Sequence, residues 1–469
     1  MRNSKLPVCL EVGHNYMSKA KYSIRMLLQP LGVSPIFMSK SELECQGIYY
    51  GQNLSGLNSG IIILPIASDC EAFYQMNQPI DLNKIKWVDV LGVKIPVLFS
   101  SEKGDDLVAS AFYWLSGWHE WTVHTRDQHG RFPHSASLQE KLKVTHLPVV
   151  DYYRSLIQDE LSSTQIHFEP RSWVAKDWAF CPTIDVDYLK HWRLGMIFRE
   201  KVEYFLLNAR KMNTGERWRR LFQFVKSYYS PGDAFQKALN MMHHYIREYG
   251  KGTVFFKAGA HGPNDVRYKL NQPYLQKMIR NLQSDSFEIG LHPSYHASDH
   301  QGYVRDERSL LTQCVGEAPV SVRNHYLRYQ STITPHLQVG AGFRIDSSLG
   351  YAECSGFRNG TCMPFLKFDC RNNQVMDLWE MPLLIMDGSL FNRENLSMND
   401  AISKSADLLL QCKKFGGVGV ALWHNVMGEE MDYPGWKEHF EHIILWSHQH
   451  GAYIGSLRGA LESWLGHQV

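Results

Sequence analysis

Ala179-Phe180-Cys181-Pro182-Thr183-Ile184-Asp185-Val186-Asp187 reads as an apolar strand that runs into two carboxylates. Side chains two apart on a strand share a face, so Asp185 and Asp187 project together at its end. Three later stretches have the same form. Phe287-Glu288-Ile289-Gly290-Leu291 leads into His292-Pro293-Ser294-Tyr295-His296, Val320-Ser321-Val322 into Arg323-Asn324-His325, and Val418-Gly419-Val420-Ala421-Leu422-Trp423 into His424. Strand ends that carry metal-binding or proton-moving groups in sequence order are how an α/β barrel assembles an active site.

Working outward, apolar strand patterns recur at 179–186, 253–257, 287–291, 320–323, 343–346, 378–382 and 418–423, with helical patterns such as 234–249 and 274–282 between them. This alternation predicts an α/β fold with parallel strands and crossover helices, a barrel or near-closed barrel of about seven strands over residues 171–469. Residues 1–170 are expected to form a smaller α/β domain, with buried strands at 60–65 and 93–99. An aromatic helix is expected over 107–121, with Trp114, Trp118 and Trp121 on one face that suits core packing. The polar, turn-rich stretch 124–137 follows, containing Asp127-Gln128-His129-Gly130-Arg131-Phe132-Pro133.

Composition excludes several classes. Of the 469 residues, 44% are hydrophobic and 20% charged, which is ordinary for a globular protein with a sizeable core. A net charge of +2 offers no general attraction for nucleic acid. No stretch approaches the roughly 20 apolar residues of a membrane span, and no signal peptide is visible near Met1, so a cytoplasmic location is expected. Nine cysteines, odd in number and without CxxC pairs, point to reduced thiols. Oligomeric state has no signature in the sequence.

Most of the candidate groups have two readings. The Asp185/Asp187 pair can divide into a base and a metal ligand, or be a solvated pair at a strand exit. His292 and His296, four apart, can meet one metal from a turn, although close histidines also recur by chance. Arg323 can hold Asp185 ionised and oriented, or form a surface ion pair. His424 can protonate a leaving group. Asp346 can orient and charge the His424 imidazole, or cap a turn with Ser347 and Ser348.

In this order the motifs resemble the polysaccharide deacetylase (NodB-homology) family of carbohydrate esterases. The resemblance covers about residues 178–456. Residues 183–187 match the family's first motif, 292–296 its second, Arg323 its third, the Asp346 region its fourth and Leu422-Trp423-His424 its fifth. Glu288-Ile289-Gly290-Leu291-His292-Pro293-Ser294-Tyr295 and Leu422-Trp423-His424-Asn425 are similar to a bacterial subgroup with an uncharacterised N-terminal domain, whose end residues 109–150 resemble. Two departures stand out: Val186 separates aspartates that are commonly adjacent, and no proline follows Arg323.

The resemblance implies a distorted (β/α) barrel holding a divalent metal, Zn²⁺ above all with Co²⁺, Ni²⁺ or Mn²⁺ as substitutes, on Asp187, His292 and His296. It implies Asp185 as base, His424 as acid, and Arg323 and Asp346 as their supports. The expected reaction is removal of N-acetyl groups from a sugar or polysaccharide precursor. The alternatives are hydrolysis of a non-sugar amide, or a catalytically idle protein that binds carbohydrate or acts as a scaffold.

Overall fold

A four-stranded parallel sheet comes first in the chain, built from β1 (Ser4–Leu10), β2 (Val33–Met38), β3 (Gly47–Gly51) and β4 (Ile61–Pro65) in the order β2-β1-β3-β4. The computed structural model describes residues 4–67, 80–164, 166–191, 213–229, 232–428 and 432–469. β3 is buried along its whole length, as an inner strand covered on both faces must be. The predicted strand at 93–99 does not join this sheet. β5 (Lys86–Val90) and β6 (Val93–Val97) form a separate antiparallel hairpin, and β7 (Ser100–Ser101) and β8 (Gly104–Asp105) a second, shorter one. Leu91 and Gly92 both take positive φ, 53° and 77°, the two-residue turn whose twist matches paired strands.

The aromatic helix expected over 107–121 is two helices, Leu107–Ser116 and Trp118–Thr122. Gly117 divides them with a φ of +64°, the left-handed cap that glycine adopts without strain. Trp114 and Trp118 lie in the first core beside Tyr22 and Phe112, so this aromatic stripe is packing.

The second sheet holds β9 (Ala179–Val186), β10 (Thr253–Phe256), β11 (Glu288–Leu291), β12 (Ser321–Val322), β13 (Ile345–Asp346), β14 (Phe365–Asp369), β15 (Gln374–Glu380), β16 (Leu383–Met386), β17 (Val418–His424) and β18 (Tyr453–Ile454). Its order is β14-β15-β13-β12-β11-β10-β9-β17-β16, with β18 also paired to β9. Each stretch read as a strand after residue 178 overlaps one of these strands. Neighbours are parallel except β14 and β15. Among the described residues, no backbone pairing joins β14 to β16, so the hydrogen-bonded path stays open there.

Amphipathic helices cover the sheet. Pro273–Ser284 is typical: proline sits at its start, where no N–H is needed, and Leu275, Met278, Ile279 and Leu282 form its buried stripe. The two cores meet at a seam. Phe365 and Phe368 of β14 pack into the first core, with Phe368 5.1 Å from Tyr22 and 5.0 Å from Phe112 between ring centroids. Glu120 and Arg358 form a buried ion pair at 2.8 Å across the same seam.

Among the described residues no helix is long and apolar enough to cross a membrane. Eight of the nine cysteines are described and all eight are free thiols.

Candidate functional site

Parallel strands share a direction, so the residues that follow them collect at one end of the sheet. Asp185 on β9 is level with His424 on β17, and Leu291 on β11 is level with Val322 on β12. The polar residues that end or follow these four strands therefore face one another.

Asp187, His292 and His325 offer ligand atoms that all lie within 4.8 Å of one another. His292 Nε2 is 3.2 Å and His325 Nε2 is 3.3 Å from Asp187 Oδ1. The far side of each ring is fixed. His292 Nδ1 lies 2.6 Å from the Arg323 carbonyl oxygen, and His325 Nδ1 lies 2.8 Å from Asp265 Oδ1. A carbonyl and an ionised carboxylate only accept, so each Nδ1 carries the proton and donates it. Where a ring carries no second proton, its bare Nε2 lone pair faces Asp187, whose Oδ1 is buried and accepts no well-formed hydrogen bond.

Three electron-rich atoms in such proximity need positive charge among them. Protons answer part of that need. Burial pushes His325 down, but Asp187 and Asp265 outweigh it and raise the imidazole above its ordinary range. Burial likewise pushes Asp187 up, yet His325 and His292 hold its carboxyl well below the usual range. A divalent cation answers the need more fully, and the donor set fits one: two imidazoles and a carboxylate, both rings oriented by acceptors behind them.

His296 is not in this group. Ser294 is extended (φ −61°, ψ 165°), and His296 sits exposed on the short turn Tyr295–Ser298. A shared turn would bring the two imidazoles together, but the extended Ser294 carries the chain away from His292 before the turn at Tyr295–Ser298 begins. His325 takes that place because β12 is the neighbour of β11, so the segment leaving β12 passes beside His292.

Arg323 and Asp185 meet as expected, with Nη1 3.3 Å from Oδ1. The guanidinium is fully buried. It also donates to the Ser347 carbonyl and hydroxyl, each at 2.8 Å, and to Thr183 Oγ1. Asp185 Oδ2 faces the other way, 3.8 Å from His292 Nδ1.

His424 is held at two points by Asp387: its backbone N–H donates to Oδ2 and its Nδ1 to Oδ1, both at 2.7 Å. Burial pushes this imidazole down, but Asp387 more than compensates and lifts it to about 10. Its Nε2 points into the site, 3.8 Å from Asp187 Oδ2. Asp346 does not fill the supporting role. Its Oδ1 accepts from Ser348 N and Oγ at 3.1 and 2.6 Å, the turn-capping alternative. Strand order explains this: β16, which precedes Asp387, pairs directly with β17, whereas β12, β11, β10 and β9 stand between β13 and β17.

A cavity of about 380 Å³ opens over these groups, lined by Asp185, Asp187, His292, His325 and His424. Arg131, from the first part of the chain, also lines it. Asp127 shapes that loop by accepting from the N–H groups of His129 and Arg131 at 2.8 and 2.9 Å. Arg131 Nη1 then donates to the Tyr326 carbonyl at 2.7 Å. Tyr326 and Leu327, directly after His325, both hold positive φ (62° and 51°), a costly conformation that packing and such contacts must maintain.

Residues 10–165 match a family of unknown function (DUF7033). No curated protein matches the chain. Among solved structures, the chain is similar to a protein from Mycobacterium smegmatis assigned as a polysaccharide deacetylase, at 17% identity over 64% of this chain and 96% of that one, with a TM-score of 0.40. It is similar to PuuE allantoinase at 12% identity (62% and 91% covered, TM-score 0.38). The chitin deacetylase of the fungus Colletotrichum lindemuthianum matches at 11% identity (63% and 91% covered, TM-score 0.33). At scores this low the likenesses carry no chemistry to this chain, which rests on its own residues.

Three site residues escape sequence reasoning. His325 stands two places past Arg323 and shares its strand-exit signal, but nothing local distinguishes it from His296. Asp387 ends a short apolar run, 383–386, and Asp265 lies in a loop without any pattern. Asp265 yields a prediction. Asp265→Ala frees the His325 ring to rotate and removes its acceptor, so Zn²⁺ affinity measured by chelator competition should fall about 10–100-fold. Unchanged affinity would remove Asp265 from the support of the site.

Proposed function

We propose that the chain is a metal-dependent hydrolase that removes N-acetyl groups from a sugar or polysaccharide precursor. One observation carries the hydrolytic reading. A cation-seeking Asp187/His292/His325 cluster stands between a buried carboxylate, Asp185, and an imidazole held by Asp387, His424, in a single cavity. The acetylated sugar is supported by the ordered motifs that resemble the deacetylase family. We read the second sheet, on the same basis, as a distorted barrel beginning near residue 171, with residues 1–170 as a separate domain that lends Arg131 to the rim.

Asp187, His292 and His325 would hold the metal, with Zn²⁺ the best match to two imidazoles and one carboxylate. Bound there, such an ion would lower the pKa of a water and polarise a carbonyl oxygen. Asp185 accepts the proton of the attacking water; Arg323 holds one of its oxygens and so fixes which oxygen faces the cavity. His424 enters the reaction protonated because Asp387 favours the imidazolium, and it delivers that proton to the departing amine. The site walls of Leu422 and Met386 limit water around these transfers.

The test is acetate release from N-acetylated sugar oligomers by protein loaded with Zn²⁺, measured beside metal-stripped protein. Release that depends on metal supports the reading. A loaded protein inert towards every acetylated glycan and amide would overturn it.

The acid has its own signature. Asp387→Asn removes the negative charge that raises His424, so the imidazolium loses its proton at lower pH. The basic limb of the turnover profile should therefore move to lower pH. An unmoved limb would show that His424 does not supply the titrating proton.

A further inference from the structure

A helix over Thr214–Tyr229 stands apart from both hydrophobic cores among the described residues. At about 100° per residue, Trp218, Phe222, Val225 and Tyr229 fall within an arc of about 60°. That stripe faces solvent: Trp218 is 67%, Phe222 69% and Tyr229 78% exposed. Scattered exposed apolar residues need no explanation, but a continuous aromatic stripe along one helix marks a surface built to be covered.

Charge decides what covers it. The helix carries one acidic and four basic residues. Arg219 and Lys226 flank the stripe on one side and Arg217 on the other; all three are exposed, with no side-chain partner among the described residues. The fourth, Arg220, points the opposite way and anchors the helix to Asp432 at 3.1 Å. A second copy of this face would bring like charges together, which disfavours self-association. Aromatic rings between basic side chains instead match the boundary of an anionic bilayer. There the rings enter the headgroup layer and the cations meet phosphate.

We propose that the Thr214–Tyr229 helix docks this protein on an anionic phospholipid surface. The segment holding the helix follows Asp187 in the chain, and Asp432 follows His424, so both of its anchors leave the end of the sheet that bears the cavity. Docking would turn that end towards the bilayer. The proposal does not depend on the hydrolytic reading, since binding is measured without turnover.

The experiment is co-sedimentation of the full chain with vesicles of phosphatidylcholine alone and with about one-third phosphatidylglycerol, at low and at high salt. The expected result is binding to the anionic vesicles that weakens with salt. Arg217→Gln/Arg219→Gln should bind them on the order of 25-fold more weakly, about five-fold for each charge removed. Trp218→Ser/Phe222→Ser should lose binding to them almost entirely, with an unchanged melting temperature. Three outcomes overturn the proposal: no binding by the parent at low salt, equal binding by parent and both variants, or a concentration-dependent dimer that Trp218→Ser/Phe222→Ser abolishes.

Discussion

His325→Ala should reduce Zn²⁺ affinity by roughly 1,000-fold or more, whereas His296→Ala should leave it unchanged. Loss of an outer partner alone costs about 10–100-fold, and loss of a ligand must exceed that. His325 Nε2 lies 3.3 Å from Asp187 Oδ1 with its ring fixed by Asp265, while His296 is exposed on the following turn. Metal content after dialysis and competition with a chromogenic chelator measure both variants. The reverse result, with His296→Ala losing metal and His325→Ala retaining it, would discard the proposed ligand set and restore the spacing-based one.

Asp185→Asn should keep the metal yet lose about 10²–10⁴ of turnover, the range a positioned base contributes. Asparagine preserves the shape and can still accept from Arg323, but it cannot take a proton from water. The same change carries a stability cost. Arg323 is fully buried and its guanidinium pairs with Asp185 at 3.3 Å. Losing one partner of a buried pair costs on the order of 3 kcal/mol. Denaturant unfolding should therefore show a lower midpoint in a protein that still binds Zn²⁺. Retained turnover would remove Asp185 from the proton-accepting role.

What the sequence made legible was local. Ile184-Asp185-Val186-Asp187 announces a strand exit with two carboxylates on one face, and Leu422-Trp423-His424 a strand that ends in an imidazole, because side-chain alternation is written in consecutive residues. The Arg323 to Asp185 contact was readable too, since both sit at such exits. Partner choice was not legible. Asp346 and Asp387 both end short apolar runs, and only the order of β16, β17 and β13 in the sheet decides which carboxylate meets His424. His296 and His325 were separated by the same kind of fact, the adjacency of β11 and β12 together with the extended Ser294. The helix expected over 107–121 missed its break because Gly117 acts through backbone handedness, which hydrophobic spacing does not register.

The contact between Arg131 and the Tyr326 carbonyl also bears on descent. It joins a loop in the segment that matches a family of unknown function to the residue directly after a proposed metal ligand. A change at Asp127 or Arg131 would be felt at the His325 turn, and a change in that turn would strand the arginine. Lineages that alter Asp127 or Arg131 are therefore expected to carry a matching alteration in the His325 turn.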